Sequence, residues 1–419
     1  MNSLISIRSD FPSIQQKVNG NSVIYLDGPA GTQVPKQVLE TMNYYYAHYN
    51  SNTHGHFMAS QETDRILGEV RQMVATFLNA PGPECISFGQ NMTTLNYSLS
   101  KGLGRIFNPG DEIVITQLDH EANRGPWLAL EELGIATREI KLLANGTLDY
   151  DSADLVINEK TKLVCVGLAS NIFGTINDIA RIKQKAGEVG AYLLIDAVHA
   201  APHCSIDVQE LDCDFLLCSA YKFYGPHVGL LYCRPDLLDK VPTDRLRTQE
   251  SVAPYKIETG TLNHAAIAGV GAAIEFIASR SEGENLRSQL VAALEEIHQH
   301  EIKLAKALWR GLDSIPGVHL LGPSIDSPER APTLAFTIEG LTPAEICQYL
   351  GEAGIYAWDG HFYAIRAVEV LDIMKIGGVT RMGVVVYNTM EEIDRTISEV
   401  RTLAEQTHRL RQKGSTVKS

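Results

Sequence analysis

The sequence lacks the long apolar runs that a membrane-spanning helix requires. A span needs roughly 18 or more consecutive apolar residues, and no run in this chain of 419 residues reaches that length. The first residues, MNSLISIRSDF, also lack the apolar core of a secretory signal peptide. The sequence therefore predicts a cytoplasmic protein with no membrane partner.

Positive charge is also scarce, since 36 Lys and Arg face 50 Asp and Glu and the formal net charge is −14. A nucleic-acid binder needs clustered basic side chains, so we expect no nucleic-acid partner. The seven cysteines include no C-x-x-C pair, which argues against a disulfide framework. His199, His203 and Cys204 have only loose metal-ligand spacing and no second cluster, so no metal is predicted.

Two short apolar runs, 192–195 and 215–218, suit strands that are buried on both faces. Asp196 and Lys222 come after these runs. Ligands bind outside the carboxyl ends of strands in an open α/β sheet, so we expect both side chains in one pocket. The pair suits pyridoxal phosphate, because a lysine can bond to its aldehyde and an aspartate can keep its pyridine nitrogen protonated. A helix-capping aspartate and a solvated lysine are the alternatives.

Strand and helix patterns alternate over residues 60–281 and predict one large domain. From about residue 282 the pattern changes to long amphipathic helices with short strands at 333–338 and 380–386, which indicates a smaller domain over 282–419. Residues 1–59 are expected to join the small domain and the active site. The large domain contains seven candidate strands, with helical stretches between most of them: 84–88, 112–116, 137–142, 162–168, 191–195, 214–218 and 228–233.

Residues 196–199 (Asp-Ala-Val-His) and 219–226 (Ser-Ala-Tyr-Lys-Phe-Tyr-Gly-Pro) resemble the class V aminotransferase and cysteine desulfurase family of fold-type I pyridoxal phosphate enzymes. The resemblance extends over nearly the whole chain and follows the family's order of motifs. It implies an α/β large domain with a seven-stranded, mostly parallel sheet and a smaller α+β domain. It also implies an amino acid substrate and a homodimer with shared active sites.

The resemblance assigns cofactor contacts to further residues. Thr93 and Thr94 open a helix whose start suits a phosphate, and His120 would stack on the cofactor ring and act as an acid or base that titrates near neutral pH. An ordinary helix cap and a structural histidine are the alternatives from the residues alone. The other implied contacts are Asn171, Asp196, His199, Ser219, Tyr221, Lys222 and, from a neighbouring subunit, Thr261.

Arg381 lies within an apolar run, where an unpaired guanidinium is unfavourable and where its fork geometry would match a carboxylate. A structural salt bridge is one interpretation. In the family, the arginine at this place holds the α-carboxylate of the substrate. Asn171 and His54 are implied to help build the substrate site, although Gly55 stands where desulfurases usually have arginine.

The segment 354–364, GIYAWDGHFYA, departs from the family pattern. Desulfurases carry the cysteine that accepts sulfur on the corresponding loop, whereas Tyr363 stands there in this chain and no cysteine follows Cys347. Without a thiolate nucleophile, sulfur transfer to the enzyme by the usual route is not possible. We expect Tyr363 instead to relay a proton or to shape the substrate pocket.

These residues and the resemblance predict a pyridoxal phosphate enzyme in which Lys222 holds the cofactor and moves the α-proton of an amino acid. A β-elimination such as a C–S lyase reaction is favoured because it needs no cysteine, and transamination and epimerisation are the alternatives. A catalytically silent scaffold is the alternative of another class, but such a protein need not retain Lys222, Asp196 and Arg381. A nicotinamide enzyme is disfavoured, since Gly102 and Gly104 lack the rest of the dinucleotide fingerprint.

Overall fold

A computed structural model describes residues 7–327 and 330–416. In chain order its strands are β1 (Lys17–Val18), β2 (Asn21–Ser22), β3 (Ile24–Tyr25), β4 (Ile86–Gly89), β5 (Glu112–Thr116), β6 (Ala136–Ile140), β7 (Thr161–Gly167), β8 (Tyr192–Asp196), β9 (Phe215–Ser219), β10 (Gly229–Cys233), β11 (Val318–Leu321), β12 (Thr333–Ile338), β13 (Ile355–Tyr356), β14 (Trp358–Gly360) and β15 (Val379–Gly383).

The α-helices of the same residues follow the strands in alternation over the first two thirds of the chain. They are α1 (Lys36–His48), α2 (Met58–Leu78), α3 (Met92–Gly104), α4 (Gly125–Leu128), α5 (Tyr150–Val156), α6 (Ile179–Glu188), α7 (Val208–Leu211), α8 (Leu237–Lys240), α9 (His264–Ala278), α10 (Leu286–Asp313), α11 (Pro343–Glu352), α12 (Ile365–Val370) and α13 (Met390–Thr416). In the part of the chain that the structure describes, no helix combines the length and apolar character of a membrane span.

The seven strands predicted in the large domain form one sheet in the order β4-β10-β9-β8-β7-β5-β6. β10 runs antiparallel to both of its neighbours, and the other adjacent pairs are parallel. The predicted α/β class with a mostly parallel sheet is therefore confirmed. The strand ends differ from the prediction by at most two residues, and Asp196 is the last residue of β8 rather than the residue after it.

Apart from the edge strand β6, the large sheet is buried on both faces. Side chains alternate along β7, so that Val164 belongs to the hydrophobic core on one face while Leu163 and Cys165 belong to the core on the other. The helices that connect parallel strands cover both faces of the sheet. The buried strands therefore have continuous apolar sequences and not an alternation of apolar and polar residues.

A second sheet of four antiparallel strands, in the order β11-β12-β15-β14, forms the smaller α+β part. The N-terminal segment joins it, because β3 pairs in parallel with β13. Helix α10 contributes to both cores: Ile297 packs into the core of the large sheet and Leu304 into the core of the small one. The division of the chain at residues 59/60 and 281/282 remains a prediction.

We expect the substitution Gly229→Ala to destabilise the start of α3. A Cβ atom at Gly229 would lie 2.4 Å from the backbone carbon of Asn91, so the strand and the helix start would have to separate. Overpacking of this kind lowers the free energy of unfolding by about 1–3 kcal/mol. Chemical denaturation measures the change. Gly68→Ala is the control, because nothing lies within 4 Å of its added Cβ; equal losses in both variants would contradict the prediction.

Candidate active site

The carboxyl ends of four parallel strands meet at one edge of the large sheet. His120 follows β5, Asn171 follows β7, Asp196 ends β8 and Lys222 follows β9. The strands are aligned so that Gly167 of β7 lies beside Asp196. The topology therefore gathers these side chains from four separate stretches of sequence into one region.

Lys222 lies in a short 3₁₀ turn, and its side chain is buried at 8 % exposure. Its Nζ donates a hydrogen bond to the carbonyl oxygen of Pro29. Burial, followed by repulsion from Arg381, lowers the pKa of the Lys222 amine to about 7. A substantial fraction of this amine is therefore neutral at pH 7, the form that can attack an aldehyde.

Asp196 is buried beside Lys222, and its Oδ1 accepts a hydrogen bond of 2.9 Å from the backbone N–H of Val198. Burial raises the pKa of Asp196 to about 7, and the nearby carboxylate of Asp119 adds to the effect. A cation such as a protonated pyridine nitrogen would stabilise the carboxylate form. The position suits an acid that pairs with a ring nitrogen.

The start of α3 lies at the same sheet edge. Asn91 caps the helix by accepting a 2.9 Å hydrogen bond from the N–H of Thr94, whose hydroxyl donates to the Asn91 carbonyl at 2.9 Å. The N–H of Met92 donates to the buried Ser219 hydroxyl at 2.9 Å. Thr94 thus serves the cap, and the half-buried Thr93 lies next to it in the first turn, at the positive end of the helix.

Tyr221 directly precedes Lys222 in the same 3₁₀ turn. Its ring stacks on His227 with centroids 4.7 Å apart and an angle of 13° between the planes. The carbonyl of Tyr221 accepts a 3.1 Å hydrogen bond from Thr32, and a Cβ atom at Gly31 would lie 3.3 Å from the ring. The glycine-rich turn after β3 therefore packs tightly against the turn that carries Lys222.

Arg381 lies on β15 with its side chain buried. It donates a 2.9 Å hydrogen bond to the carbonyl of Asn171, and its guanidinium carbon lies 4.0 Å from the ring centroid of Phe362. Burial lowers the pKa of Arg381 to about 9, and the charge of Asp27 opposes this shift. Among the described residues no carboxylate lies within 4.0 Å of the guanidinium, so the structural salt bridge considered as an alternative is not observed there.

The loop that ends with Phe362 and Tyr363 is held over the pocket. Both residues have left-handed backbone angles, with φ of 53° and 59°. The Asn171 side chain donates to the Phe362 carbonyl at 2.9 Å, and the N–H of Glu121 donates to the Tyr363 carbonyl at 2.7 Å. The Tyr363 side chain is 65 % exposed, and its ring centroid lies 5.3 Å from that of His120.

His120 differs from the expectation of a histidine that titrates near neutral pH. Burial, followed by the charges of Lys222 and Arg381, lowers the pKa of His120 to about 4. Its Nδ1 accepts a 2.9 Å hydrogen bond from the N–H of Ala122. The ring is therefore neutral at pH 7 and carries its proton on Nε2, from which it can donate.

The two histidines considered as loose metal ligands have partners from the protein. The Nε2 of His199 lies 2.9 Å from the Oγ1 of Thr333, and the Nδ1 of His203 lies 2.7 Å from the Oε2 of Glu301. Burial holds the pKa of His199 well below its usual range. Within residues 7–327 and 330–416, no three His, Cys, Asp or Glu residues are grouped as metal ligands would be.

Asp27 is a charged residue of this pocket to which the sequence analysis assigned no role. It directly follows the run of strand β3, and its Oδ1 is buried without a hydrogen-bond partner among the described residues. Burial raises the pKa of Asp27 to about 6, while the charges of Arg381 and Lys222 oppose the shift. The same signal that indicated Asp196, an acid after a short apolar run, was present at Asp27.

His54 and Thr261 are not brought together with Lys222. Both line a separate cleft of about 930 Å³, to which Asp64 and Arg71 also contribute. The His54 side chain is 79 % exposed and lies 3.5 Å from Asp64. The pocket around Lys222 therefore contains neither residue within one chain.

The family model described as aminotransferase class V matches residues 24–396. A probable cysteine desulfurase from Streptomyces coelicolor is 34 % identical over 412 residues, which cover 94 % of this chain and 95 % of the relative. A probable cysteine desulfurase from Synechocystis sp. is 32 % identical over 408 residues, 93 % of each chain. This chain belongs to the class V aminotransferase family.

Solved structures agree with this assignment. The apo structure of a cysteine desulfurase from Thermococcus onnurineus superposes with a TM-score of 0.84 at 30 % identity and covers 94 % of this chain and 98 % of that one. The cysteine desulfurase CsdA from Escherichia coli gives a TM-score of 0.82 at 26 % identity, with 97 % and 98 % covered. The predicted fold-type I class and pyridoxal phosphate dependence are confirmed. The buried amine, the buried acid and the helix start fit this cofactor.

We expect Lys222→Met to stabilise the cofactor-free protein at pH 7. The folded pKa of Lys222 is about 7 against an ordinary 10.5, so between these values the unfolded chain binds a proton that the folded chain has lost. The Lys222 amine should therefore destabilise the wild type most near pH 7 and progressively less towards pH 10, so the variant should be more stable than the wild type at pH 7 by on the order of 4 kcal/mol and the difference should shrink as the pH rises.

Denaturant titrations of the apo-protein at pH 7, 8 and 9 measure this effect. Lys375→Met is the matched control, because its side chain is 75 % exposed and its removal should leave the pH profile unchanged. The Lys222 amine is not desolvated as described if the unfolding free energy of the variant changes with pH as steeply as that of the wild type. The same conclusion follows if the variant is less stable than the wild type at pH 7.

Proposed function

We propose that this protein is a pyridoxal phosphate-dependent C–S lyase, which removes the α-proton of an amino acid and eliminates a sulfur leaving group from its Cβ. The observation that carries the proposal is Tyr363: the loop over the pocket presents a phenol 5.3 Å from the His120 ring and contains no cysteine. The relatives named as cysteine desulfurases support chemistry at a C–S bond. A β-elimination needs no thiol on the enzyme.

When bound, pyridoxal phosphate supplies an electron-accepting ring that stabilises negative charge at the substrate Cα. The helix start at Thr93 and the hydroxyl of Ser219 would hold its phosphate, with Tyr221 beside it. Asp196 would face the pyridine nitrogen. His199 and Asn171 would lie near the oxygen substituent of the ring, and Thr94 would support the phosphate site through the cap it forms.

Lys222 holds the cofactor and then accepts the α-proton at Nζ. The lowered pKa of Lys222 makes its neutral form available near pH 7. Arg381 holds the substrate carboxylate by its free guanidinium edge, and this contact fixes the Cα–H bond in the direction of Lys222. The Nε2–H of the neutral His120 ring would donate a hydrogen bond that stabilises the sulfur atom as it leaves as a thiolate, and the thiolate would take its proton from solvent through the exposed Tyr363 phenol.

A homodimer is part of the proposal. His54 and Thr261 line a cleft that is open in one chain and lacks the catalytic lysine, and α1 with the start of α2 exposes several large apolar side chains. A second subunit that covers this face would bury them and bring Thr261 to the phosphate of its partner. The exposed apolar residues are Leu39, Tyr44, Tyr46, Phe57 and Met58.

A cytoplasmic location is likewise proposed and remains an expectation from the sequence. All seven cysteines lie in the described part of the chain and none of them forms a disulfide, which suits a reducing compartment. Cys347, the cysteine nearest in sequence to the 354–364 loop, lies half-buried in α11, and burial raises the pKa of its thiol to about 12. It therefore does not supply a thiolate nucleophile at neutral pH.

We expect the protein to convert S-substituted cysteines to pyruvate, ammonia and a thiol, and to form no persulfide on itself with L-cysteine. The physical reason is that a phenol with a pKa near 10 is a poor nucleophile towards sulfur. Product analysis together with thiol-trapping mass spectrometry over all seven cysteines measures both outcomes.

Cys347→Ser serves as the control and should retain full activity. A persulfide that forms on Cys347 at the rate of turnover would contradict the proposal. A 2-oxo acid that retains the substrate side chain would indicate transamination, and a racemised amino acid would indicate epimerisation; either as the main product would replace elimination as the function.

We expect Arg381→Leu to lower kcat/KM. The loss should correspond to about 2–4 kcal/mol of transition-state stabilisation, because the substrate carboxylate loses a buried charged partner. Arg381→Lys keeps the positive charge but lacks the two-pronged guanidinium, so its kcat/KM should lie between those of Arg381→Leu and the wild type. Steady-state kinetics with an amino acid and with its decarboxylated amine measure the effect. The prediction is wrong if the wild type turns over both substrates equally well.

A further inference from the structure

A carboxylate is buried outside the pocket, at the point where α10 passes from one core to the other. Glu301 has 0 % of its surface exposed. It lies between Ile297, which packs into the core of the large sheet, and Leu304, which packs into the core of the small sheet. An isolated carboxylate is costly in such a place, so its partners indicate what it does.

The partner of Glu301 belongs to the segment that follows Asp196. The Nδ1 of His203 lies 2.7 Å from the Oε2 of Glu301, and the His203 ring lies 5.3 Å from the His199 ring at 73°, edge to face. The Nε2 of His199 lies 2.9 Å from the Oγ1 of Thr333 on β12. Two histidines four residues apart thus connect one segment of the large domain to two elements of the small one.

The cluster also extends towards Lys222. The Oε1 of Glu301 and the Nε2 of His203 are buried without a hydrogen-bond partner among the described residues. The charge of Glu301 acts on the Tyr224 hydroxyl, whose pKa is raised mainly by burial. Tyr224 comes two residues after Lys222, so the cluster borders both segments that carry the cofactor contacts.

We propose that Glu301 and His203 are positioning residues for the cofactor. Glu301 orients His203, and His203 packs edge-to-face on His199 and fixes its ring against Thr333. The segment 196–203 is thereby held in the position in which Asp196 and His199 meet the cofactor ring. The contact between His199 and the cofactor is part of the proposed function, and the inference rests on it.

The charged surroundings of the cluster define a spectroscopic test. Glu301 faces His203, His298 and Tyr224. His199 faces His203, and beyond it Lys222 and Arg381. A change in the orientation or charge of the His199 ring should therefore shift the pH at which the absorbance of the bound cofactor changes, which a purely structural buried pair would not do.

The experiment compares Glu301→Leu, Glu301→Gln, His203→Leu and the double variant Glu301→Leu/His203→Leu with the wild type as full-length protein. The dissociation constant of apo-protein for pyridoxal 5′-phosphate, the Tm with and without cofactor, and the pH profile of cofactor absorbance are measured. Leu304→Ala is the control, one turn further along α10 and in the core of the small sheet alone.

We expect Glu301→Leu to raise the dissociation constant about tenfold, as loss of an orienting partner behind a ligating histidine does in metal sites, and to shift the absorbance profile. Glu301→Gln, which keeps a hydrogen-bond acceptor, should be affected less. The dissociation constant of the double variant should be little higher than that of either single variant, because Glu301 and His203 act as a unit. Leu304→Ala should lower Tm and leave the dissociation constant unchanged.

An unchanged dissociation constant and absorbance profile in both Glu301 variants, with Tm lowered equally in apo- and holo-protein, would overturn the inference. If Glu301→Leu does not fold, the same readouts on Glu301→Gln and His203→Leu decide. A wild type that binds the cofactor but eliminates no thiol from any S-substituted cysteine would overturn the proposed function and leave this inference standing.

Discussion

The desolvation of the Lys222 amine is the constraint on which the site depends. The amine lies at a sheet edge that is buried by strands on one side and by the turn after β3 on the other, with the Pro29 carbonyl as its hydrogen-bond partner. Its charged form is therefore disfavoured. The same burial raises the pKa of Asp196 and lowers that of His120. Burial in one low-dielectric environment thus favours the neutral forms of the Lys222 amine, the Asp196 carboxyl and the His120 imidazole.

The substrate end of the pocket combines a buried cation with an aromatic loop. The Arg381 guanidinium is available to a carboxylate, yet Phe362 packs over it and the following residue is tyrosine. Backbone hydrogen bonds from Asn171 and Glu121 hold this loop down although two of its residues adopt left-handed angles. A loop that is held in place suits a phenol that lines a pocket better than a thiolate that must carry sulfur away.

The junction between the two cores connects fold and chemistry. Helix α10 crosses it, and the buried pair of Glu301 and His203 lies at the crossing point. The hydrophobic parts of the helix would pack equally well without a carboxylate there. A buried hydrogen-bonded pair that cannot separate without leaving polar atoms unpaired gives the two parts a defined relative position, and it lies beside the segment that begins with Asp196.

The local sequence indicated the strands of the large sheet that are buried on both faces, because β-branched and leucine-rich runs between turn residues favour such strands. It also indicated Lys222, Asp196 and Arg381, whose residue types stand out at strand ends or within an apolar strand. The tertiary structure alone decided which of these meet. Asp27 and Lys222 are far apart in the chain and share one pocket, whereas His54 and Thr261 line a different cleft. The pKa values of the site also follow from packing, since burial and neighbouring charges arise only when distant segments come together.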